Sequence, residues 1–369
     1  MEKHIYSTLE CPDGYEIAED VLNSRGSLII TKNTIINESI RQKLVAFKVD
    51  RIAAQKSEKK INTAKKNDAA KKIDTAKKND TAHNPKADII AFQRNYQKSV
   101  NSVKVIINDL AAGRGLDNEK INEISSSLYD NMKSNIAVTE CLNKLKVADE
   151  YTYSHCINVS LYSMLLGKWL ELPESEIRLL IIAGILHDVG KSKIPNEILN
   201  KRGPLSKEEF EVIKTHPLLG YEIIKDNTDI NERVKDAVLM HHEKENGTGY
   251  PYGIKSVGIS SYAKIVSIAD AYDAITSERI YKKRQTPFDT FREFERIGIV
   301  EGHYDPGILL TFIHNISQYY VGSRVMMSTG KLGEIVYVPP HDISNPVVRI
   351  DDSFIDLSAQ SGIKIIQML

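Results

Sequence analysis

The apolar run Leu179-Leu-Ile-Ile-Ala-Gly-Ile-Leu186 leads without a break into His187-Asp188. No other stretch constrains the fold as tightly. A run of that composition belongs inside a core. An imidazole and a carboxylate at the end of a buried helix are costly unless each is paired or binds a cation. Gly190 can end the helix there, and Lys191 restores polarity. The rest of the chain must therefore bring polar partners to this helix end.

Candidates for those partners lie on both sides. The chain has ten histidines, and His155, His187, His216, His241 and His242 all fall in contexts that suit a ligand. His155 lies on a helix predicted over Tyr151 to Trp169, whose apolar face is Val159, Tyr162 and Leu166. Asp270 sits within the apolar segment Ile265-Val-Ser-Ile-Ala-Asp-Ala-Tyr-Asp273 and needs a partner of its own. His216 precedes Pro217, where one helix must end and another start. His241-His242 closes a helix predicted over Val234 to Met240.

A lone histidine on an apolar helix is usually a hydrogen-bonded core residue. Five of them in one half of the chain, with two buried acids, argue for a shared cation site. His155, His187, Asp188 and Asp270 supply a mixed nitrogen and oxygen site for one divalent cation. His216, His241 and His242 supply a second, with Asp188 as the natural bridge. Two cations about 3.5–4 Å apart can hold a bridging hydroxide and stabilise in-line displacement at phosphorus. A ligand set without thiolate suits iron or manganese, with zinc as a further option. His4, His83, His303, His314 and His341 lack such company and read as ordinary residues.

Behind the paired histidines comes Glu243-Lys-Glu-Asn-Gly-Thr-Gly-Tyr-Pro251, a tight loop that would wall the pocket. Tyr250 there could stack on a substrate or pack inward. Lys191 and Arg279 are the cations best placed for a phosphodiester, with Lys282 nearby, while Lys283 reads as a solvated charge.

The flanking segments differ in character. Residues 1–54 predict a small α/β unit, with a strand at Ser27-Leu-Ile-Ile-Thr31 and helical spacing from Asn37 to Phe47. Residues 55–86 are a Lys-rich, low-complexity linker without aromatics, in which Ile61-Asn-Thr-Ala-Lys-Lys-Asn-Asp68 returns as Ile73-Asp-Thr-Ala-Lys-Lys-Asn-Asp80. Such a segment buries too little apolar surface to offset its ordering entropy. Residues 87–147 predict a helical connector broken at Ala111-Ala-Gly-Arg-Gly115, which could also support a homodimer. Residues 148–318 carry the chemistry, and residues 319–369 switch to strand character.

Composition narrows the function classes. Lys and Arg number 49 against 49 Asp and Glu, which argues against a protein that wraps duplex nucleic acid. Three scattered cysteines give no disulfide framework and suit a reducing compartment. The opening residues lack the apolar core of a signal peptide, and no run approaches the roughly 20 residues of a membrane span. The expectation is a cytoplasmic protein.

The motifs together resemble the HD-GYP family. They are His187-Asp-Val-Gly-Lys191, His216-Pro-Leu-Leu-Gly220, His241-His-Glu243, Asn246-Gly-Thr-Gly-Tyr-Pro251, Asp270-Ala-Tyr-Asp273 and Arg279-Ile-Tyr-Lys282. The resemblance covers residues 148–318. It implies a helical HD-GYP bundle, so the chain is expected to be mainly α; the flanking patterns fit a small α/β N-terminal domain and, at residues 319–369, a small β-barrel-like domain or curled sheet. It also implies a phosphodiesterase that linearises cyclic di-GMP to pGpG, and in some members continues to GMP. By residue match, the metal ligands would be His155, His187, Asp188, His216, His241, His242 and Asp270. Lys191 would contact the scissile phosphate, Arg279 and Lys282 the substrate's phosphates, and Tyr250 a guanine or phosphate edge. The family also suggests a GGDEF-type cyclase as a partner.

One departure bears on stoichiometry. Members with three metals carry a Glu one helical turn before the first histidine, where this chain has Tyr151. Two metals are therefore expected, and cleavage of pGpG onward to GMP is left open. Three alternatives remain. Other HD enzymes cleave nucleotides such as ppGpp or dNTPs, but they need only His155, His187, Asp188 and Asp270. A related substrate, 3′3′-cyclic GMP-AMP, differs only in base contacts. A non-catalytic cyclic di-GMP receptor would normally have lost ligands, and none is missing.

Overall fold

Two compact units divide the chain at Asp80. The computed structural model describes parts of residues 4–56, then residues 85–131, 151–276 and 286–369, apart from Arg202 and Ser361.

In the first unit, β1 (His4–Ser7), β2 (Tyr15–Ile17) and β5 (Arg51–Lys56) form an antiparallel sheet in the order β1-β5-β2. A separate pair joins β3 (Val21–Leu22) to β4 (Leu28–Ile30), which is the strand expected around Ser27 to Thr31. Ile17, Ile36, Leu44, Ile52 and Ala54 are its buried core. Of the predicted helix from Asn37 to Phe47, only Ile40, Arg41 and Leu44 lie among the described residues, and these are helical.

The second unit is helical before it turns to strands. Its helices are α1 (Pro85–Ala111), α2 (Asn118–Asn131), α3 (Tyr151–Trp169) and α4 (Glu174–Leu186). Two short ones follow, α5 (Asn196–Leu199) and α6 (Lys207–Ile213). Then come α7 (His216–Ile224), α8 (Glu232–Met240), α9 (Ser261–Thr276), α10 (Pro287–Phe294) and α11 (Pro306–Gln318). Local chemistry sets several starts. Ser206 with Glu209 and Thr286 with Asp289 form reciprocal caps at α6 and α10. Asn231 and Asp305 accept the first free amides of α8 and α11.

Helix α3 is buried on all sides through its middle, as a central helix must be. Cys156, Ile157, Val159, Leu161, Tyr162, Met164, Leu165 and Leu166 are all buried. Helices α1, α4, α9 and α11 pack around it. The crossing of α3 and α4 is close because Gly184 has no side chain. A Cβ there would lie 2.6 Å from the Ser160 Cα. Gly190 allows a second close approach. It lies in a 3₁₀ turn (Val189–Lys193) that presses on α7, where a Cβ would sit 1.9 Å from the His216 carbonyl oxygen.

The C-terminal strands are β6 (Arg324–Met327), β7 (Leu332–Tyr337), β8 (Val347–Ile350), β9 (Ser353–Asp356) and β10 (Ile365–Met368). They form one antiparallel sheet in the order β10-β6-β7-β8-β9. The expected barrel is not closed: β9 and β10 are the two edges, and no ladder joins them among the described residues. Strand β9 shows no alternating buried face, since its first two residues, Ser353 and Phe354, are both exposed. Among the described residues, no helix is long and apolar enough to cross a membrane.

The α3–α4 crossing gives a direct test. Gly184→Ala should destabilise the protein by about 1–3 kcal/mol, the usual cost of overpacking a core. An unchanged urea midpoint for that variant would contradict the packing described.

Candidate metal centre

Five elements deliver seven donor side chains to one place. Helix α3 brings His155, the end of α4 brings His187 and Asp188, and the first residue of α7 is His216. His241 and His242 follow α8, and Asp270 lies on α9. His155, His187, Asp188, His216 and His241 are buried. The side chains of Asp270 and His242 retain 14% and 21% exposure, so they mark the open side.

Asp188 stands at the centre. Its Oδ2 lies 3.3 Å from His187 Nε2 and 3.7 Å from His155 Nε2. Its Oδ1 lies 3.3 Å from His216 Nε2 and 3.9 Å from His241 Nε2. Each carboxylate oxygen thus faces a different group of imidazoles. His155, His187 and Asp188 form one cluster; Asp188, His216, His241 and His242 form the other. In each, the donor atoms all lie within 4.8 Å of one another. Asp270 reaches toward both, with Oδ1 3.1 Å from His155 Nε2 and Oδ2 3.9 Å from His242 Nδ1.

Tautomers follow from the backbone. His187, His216 and His241 each place Nδ1 within 2.7–2.9 Å of the carbonyl oxygen three residues earlier. A carbonyl can only accept, so each Nδ1 carries the proton and each neutral ring aims an Nε2 lone pair inward. Two of those lone pairs meet head-on, since His216 Nε2 is 3.2 Å from His241 Nε2. His187 Nε2 and Asp188 Oδ1 are buried without a hydrogen-bond partner. Converging acceptors that lack a donor form a cradle for a cation, so the residues present fit two divalent ions.

Electrostatics keep the donors in their binding forms. Burial pushes the Asp188 carboxyl up, but His187 and Lys191 outweigh it and hold it well below the usual carboxylate range. Asp270 is likewise held low against burial, by His155 first. Burial, with His187 and His216 nearby, pushes His241 down to about 3. Burial and His241 also push His242 well down. His155 differs: burial lowers it, yet hydrogen bonds to Asp270 and Asp273 hold it up to about 9. A proton there occupies the place of a cation, and metal binding would displace it.

Lys191 Nζ donates to Asp188 Oδ2 at 2.5 Å and is half-buried. The loop expected behind the histidines is a defined turn, with a cis Tyr250-Pro251 bond. Tyr250 stacks on His242 with ring centroids 4.7 Å apart, and so lies beside the cluster's open side. Asn246 Oδ1 accepts from the Thr248 amide, and its Nδ2 donates to the Glu301 carbonyl, a bond that an Asp there could not make. At Gly249 a Cβ would sit 2.4 Å from the Lys244 nitrogen, so this turn has room only for glycine. Arg279 and Lys282 lie outside the described residues, as does the side chain of Tyr151.

Sequence reasoning missed several supporting residues. Asp273 Oδ2 holds His155 Nδ1 at 2.7 Å, and Asn158 Nδ2 donates to Asp273 Oδ1 at 2.9 Å. The spacing was available: Asp273 and Asn158 stand three residues after Asp270 and His155, on shared helix faces. The buried Glu243 carboxylate accepts the Tyr252 and Ile254 amides and fastens the loop. Lys244 Nζ lies 4.5 Å from the centre of the Tyr304 ring, and burial pushes it down to about 8. Tyr304 belongs to no motif, and only the folded chain brings it there.

The class is now defined. A helical bundle with histidines and aspartates around one shared carboxylate is an HD domain, and the HD domain family model matches residues 132–308. The chain carries the HD-GYP form of that domain, with His187-Asp188 and Gly249-Tyr-Pro251 at one site. The cyclic di-GMP phosphodiesterase PA4108 of Pseudomonas aeruginosa is 34% identical over 253 residues, 68% of this chain and 59% of that protein. The 3′3′-cGAMP-specific phosphodiesterase 2 of Vibrio cholerae is 31% identical over 206 residues, 56% of this chain and 38% of that protein. The chain thus spans less than two thirds of the length of either relative. The solved structure of Bd1817, an HDG"Y"P protein from Bdellovibrio bacteriovorus, shares the fold, with TM-score 0.51 and 16% identity. That match covers 84% of this chain and 98% of that one.

The Asp273 contact predicts a metal-retention phenotype. Asp273→Asn should weaken metal binding about tenfold to a hundredfold, as loss of an outer-shell carboxylate does. Metal analysis after dialysis checks this; full retention would show that His155 needs no such support.

Proposed function

We propose that this protein is a metal-dependent phosphodiesterase that hydrolyses cyclic di-GMP to linear pGpG. The observation that carries the reading is the shared Asp188, with one oxygen toward each imidazole cluster. His155, His187, Asp188 and Asp270 would hold one divalent cation; Asp188, His216, His241 and His242 would hold the other. Iron or manganese suits a set of nitrogen and oxygen donors without thiolate. When bound, two such ions lower the pKa of a water and neutralise phosphoryl charge.

The chain's own residues do the rest. Ionised Asp188 holds the Lys191 ammonium beside the cluster, where it can donate to a phosphoryl oxygen as charge develops. Tyr250, stacked on His242, offers a face or a hydroxyl to a guanine. Arg279 and Lys282 would contact the remaining phosphate. Water adds to phosphorus, the P–O3′ bond breaks, O3′ leaves as a hydroxyl with a proton that the water gives up, and the product carries a 5′ phosphate. The proposal includes a reducing, cytoplasmic compartment, which the three scattered cysteines of the sequence suit. The likeness to a cGAMP-specific enzyme supports 3′3′-cyclic GMP-AMP as the second substrate to test.

The test is anaerobic purification, loading with ferrous or manganous ion, and chromatography after addition of each cyclic dinucleotide. We expect pGpG from cyclic di-GMP, and its loss after chelation. Faster turnover of cyclic GMP-AMP would favour the second reading. Replacing His187 and Asp188 by Ala should abolish metal retention and turnover together. Full activity in that double variant would exclude this centre as the reaction site.

A further inference from the structure

Helix α1 lies outside the segment that matches the HD domain, yet it reaches the metal centre through a buried chain of hydrogen bonds. Tyr96 on α1 is only 4% exposed. Its hydroxyl donates to Asn158 Oδ1 at 2.9 Å. Asn158 Nδ2 donates to Asp273 Oδ1 at 2.9 Å. Asp273 Oδ2 holds His155 Nδ1 at 2.7 Å, which turns His155 Nε2 toward Asp188 and Asp270. Asn158, Asp273 and His155 are all buried.

The chain has a direction. A carboxylate can only accept, so the Asn158 amide must present Nδ2 to Asp273 and Oδ1 away from it. Oδ1 then needs a donor, and the Tyr96 hydroxyl is placed to supply one. Without that donor a buried carbonyl is left unsatisfied, and the amide loses what holds its orientation. Asp273 would then lose part of its own support. In a low-dielectric interior such linked bonds reinforce one another.

We propose that Tyr96 is a positioning residue for the metal centre, acting through Asn158 and Asp273 on His155. It makes α1 a part of the site. Any displacement of α1, which begins at the end of the Lys-rich segment, would then be felt at His155. The inference rests on the reading that the His155 cluster holds a divalent ion.

The test compares Mn²⁺ affinity, by competition with a chelator, and the electron paramagnetic resonance spectrum of bound Mn²⁺. The full chain is used as wild type, Tyr96→Phe, Asp273→Asn and the double variant. Tyr96→Phe removes only a hydroxyl, so the fold should persist, and thermal melting confirms it. We expect Tyr96→Phe to weaken one Mn²⁺ site about tenfold and alter its spectrum, and Asp273→Asn to weaken the same site by more. The double variant should match Asp273→Asn alone, because the two act in series. Tyr153→Phe is the control: its hydroxyl bonds Asn108 between the same two helices, outside the chain. It should leave the Mn²⁺ site unchanged.

Wild-type affinity in Tyr96→Phe would overturn the proposal, as would additive losses in the double variant. An equal loss in Tyr153→Phe would also overturn it, since helix packing alone would then be responsible. Failure of the wild type to bind Mn²⁺ at all would instead remove the metal reading, and this inference with it.

Discussion

Asp188 is buried with its two oxygens turned to two different groups of imidazoles, and the helical bundle is arranged to make that tolerable. A carboxylate in an apolar interior needs nearby positive charge or donors. Lys191 supplies one. In their neutral form the imidazoles do not supply the rest, because backbone carbonyls hold the protons of His187, His216 and His241 on the far side of each ring. The interior is therefore rich in acceptors and short of donors. Cations are the physical answer to that imbalance, and their binding would add to folded-state stability.

The same constraint explains why the site is spread over so many elements. One helix cannot aim several donors at a point, since neighbouring residues project in different directions. Here α3, α4, α7, α8 and α9 each contribute one or two. Their convergence depends on close backbone approaches. Gly184 lets α4 cross α3, and Gly190 lets the turn after Asp188 press on α7. The loop bearing Tyr250 is similarly fastened, by Glu243 from within and by Asn246 to the Glu301 carbonyl. A fastened wall beside the open side of the donor cluster would suit the proposed reaction, in which placement of the phosphate matters most.

Much of this was legible in the chain itself. The helices bearing His155, His187 and Asp270 follow from apolar spacing, and Pro217 marks the start of α7. All seven proposed ligands are brought together. The reading of the C-terminal segment fell short for a physical reason. The five C-terminal strands form an open sheet, because whether β9 and β10 meet depends on sheet curvature, which alternating residues do not encode. Strand β9 itself shows no alternating buried face. Arg279 and Lys282 fall outside the described residues.

The sequence by itself determined the chemistry: which side chains can bind a cation, and which apolar segments must carry them inward. Local periodicity and turn residues suffice for that, because they act over a few neighbouring positions. Only the tertiary structure decided which oxygen of Asp188 serves which cluster, and that Glu243 fastens the loop. It alone joined Tyr96 through Asn158 and Asp273 to His155, across 62 positions between the first two residues. Contacts between residues so far apart arise from how helices cross. Those crossings are set by packing over the whole core, and no single motif contains them.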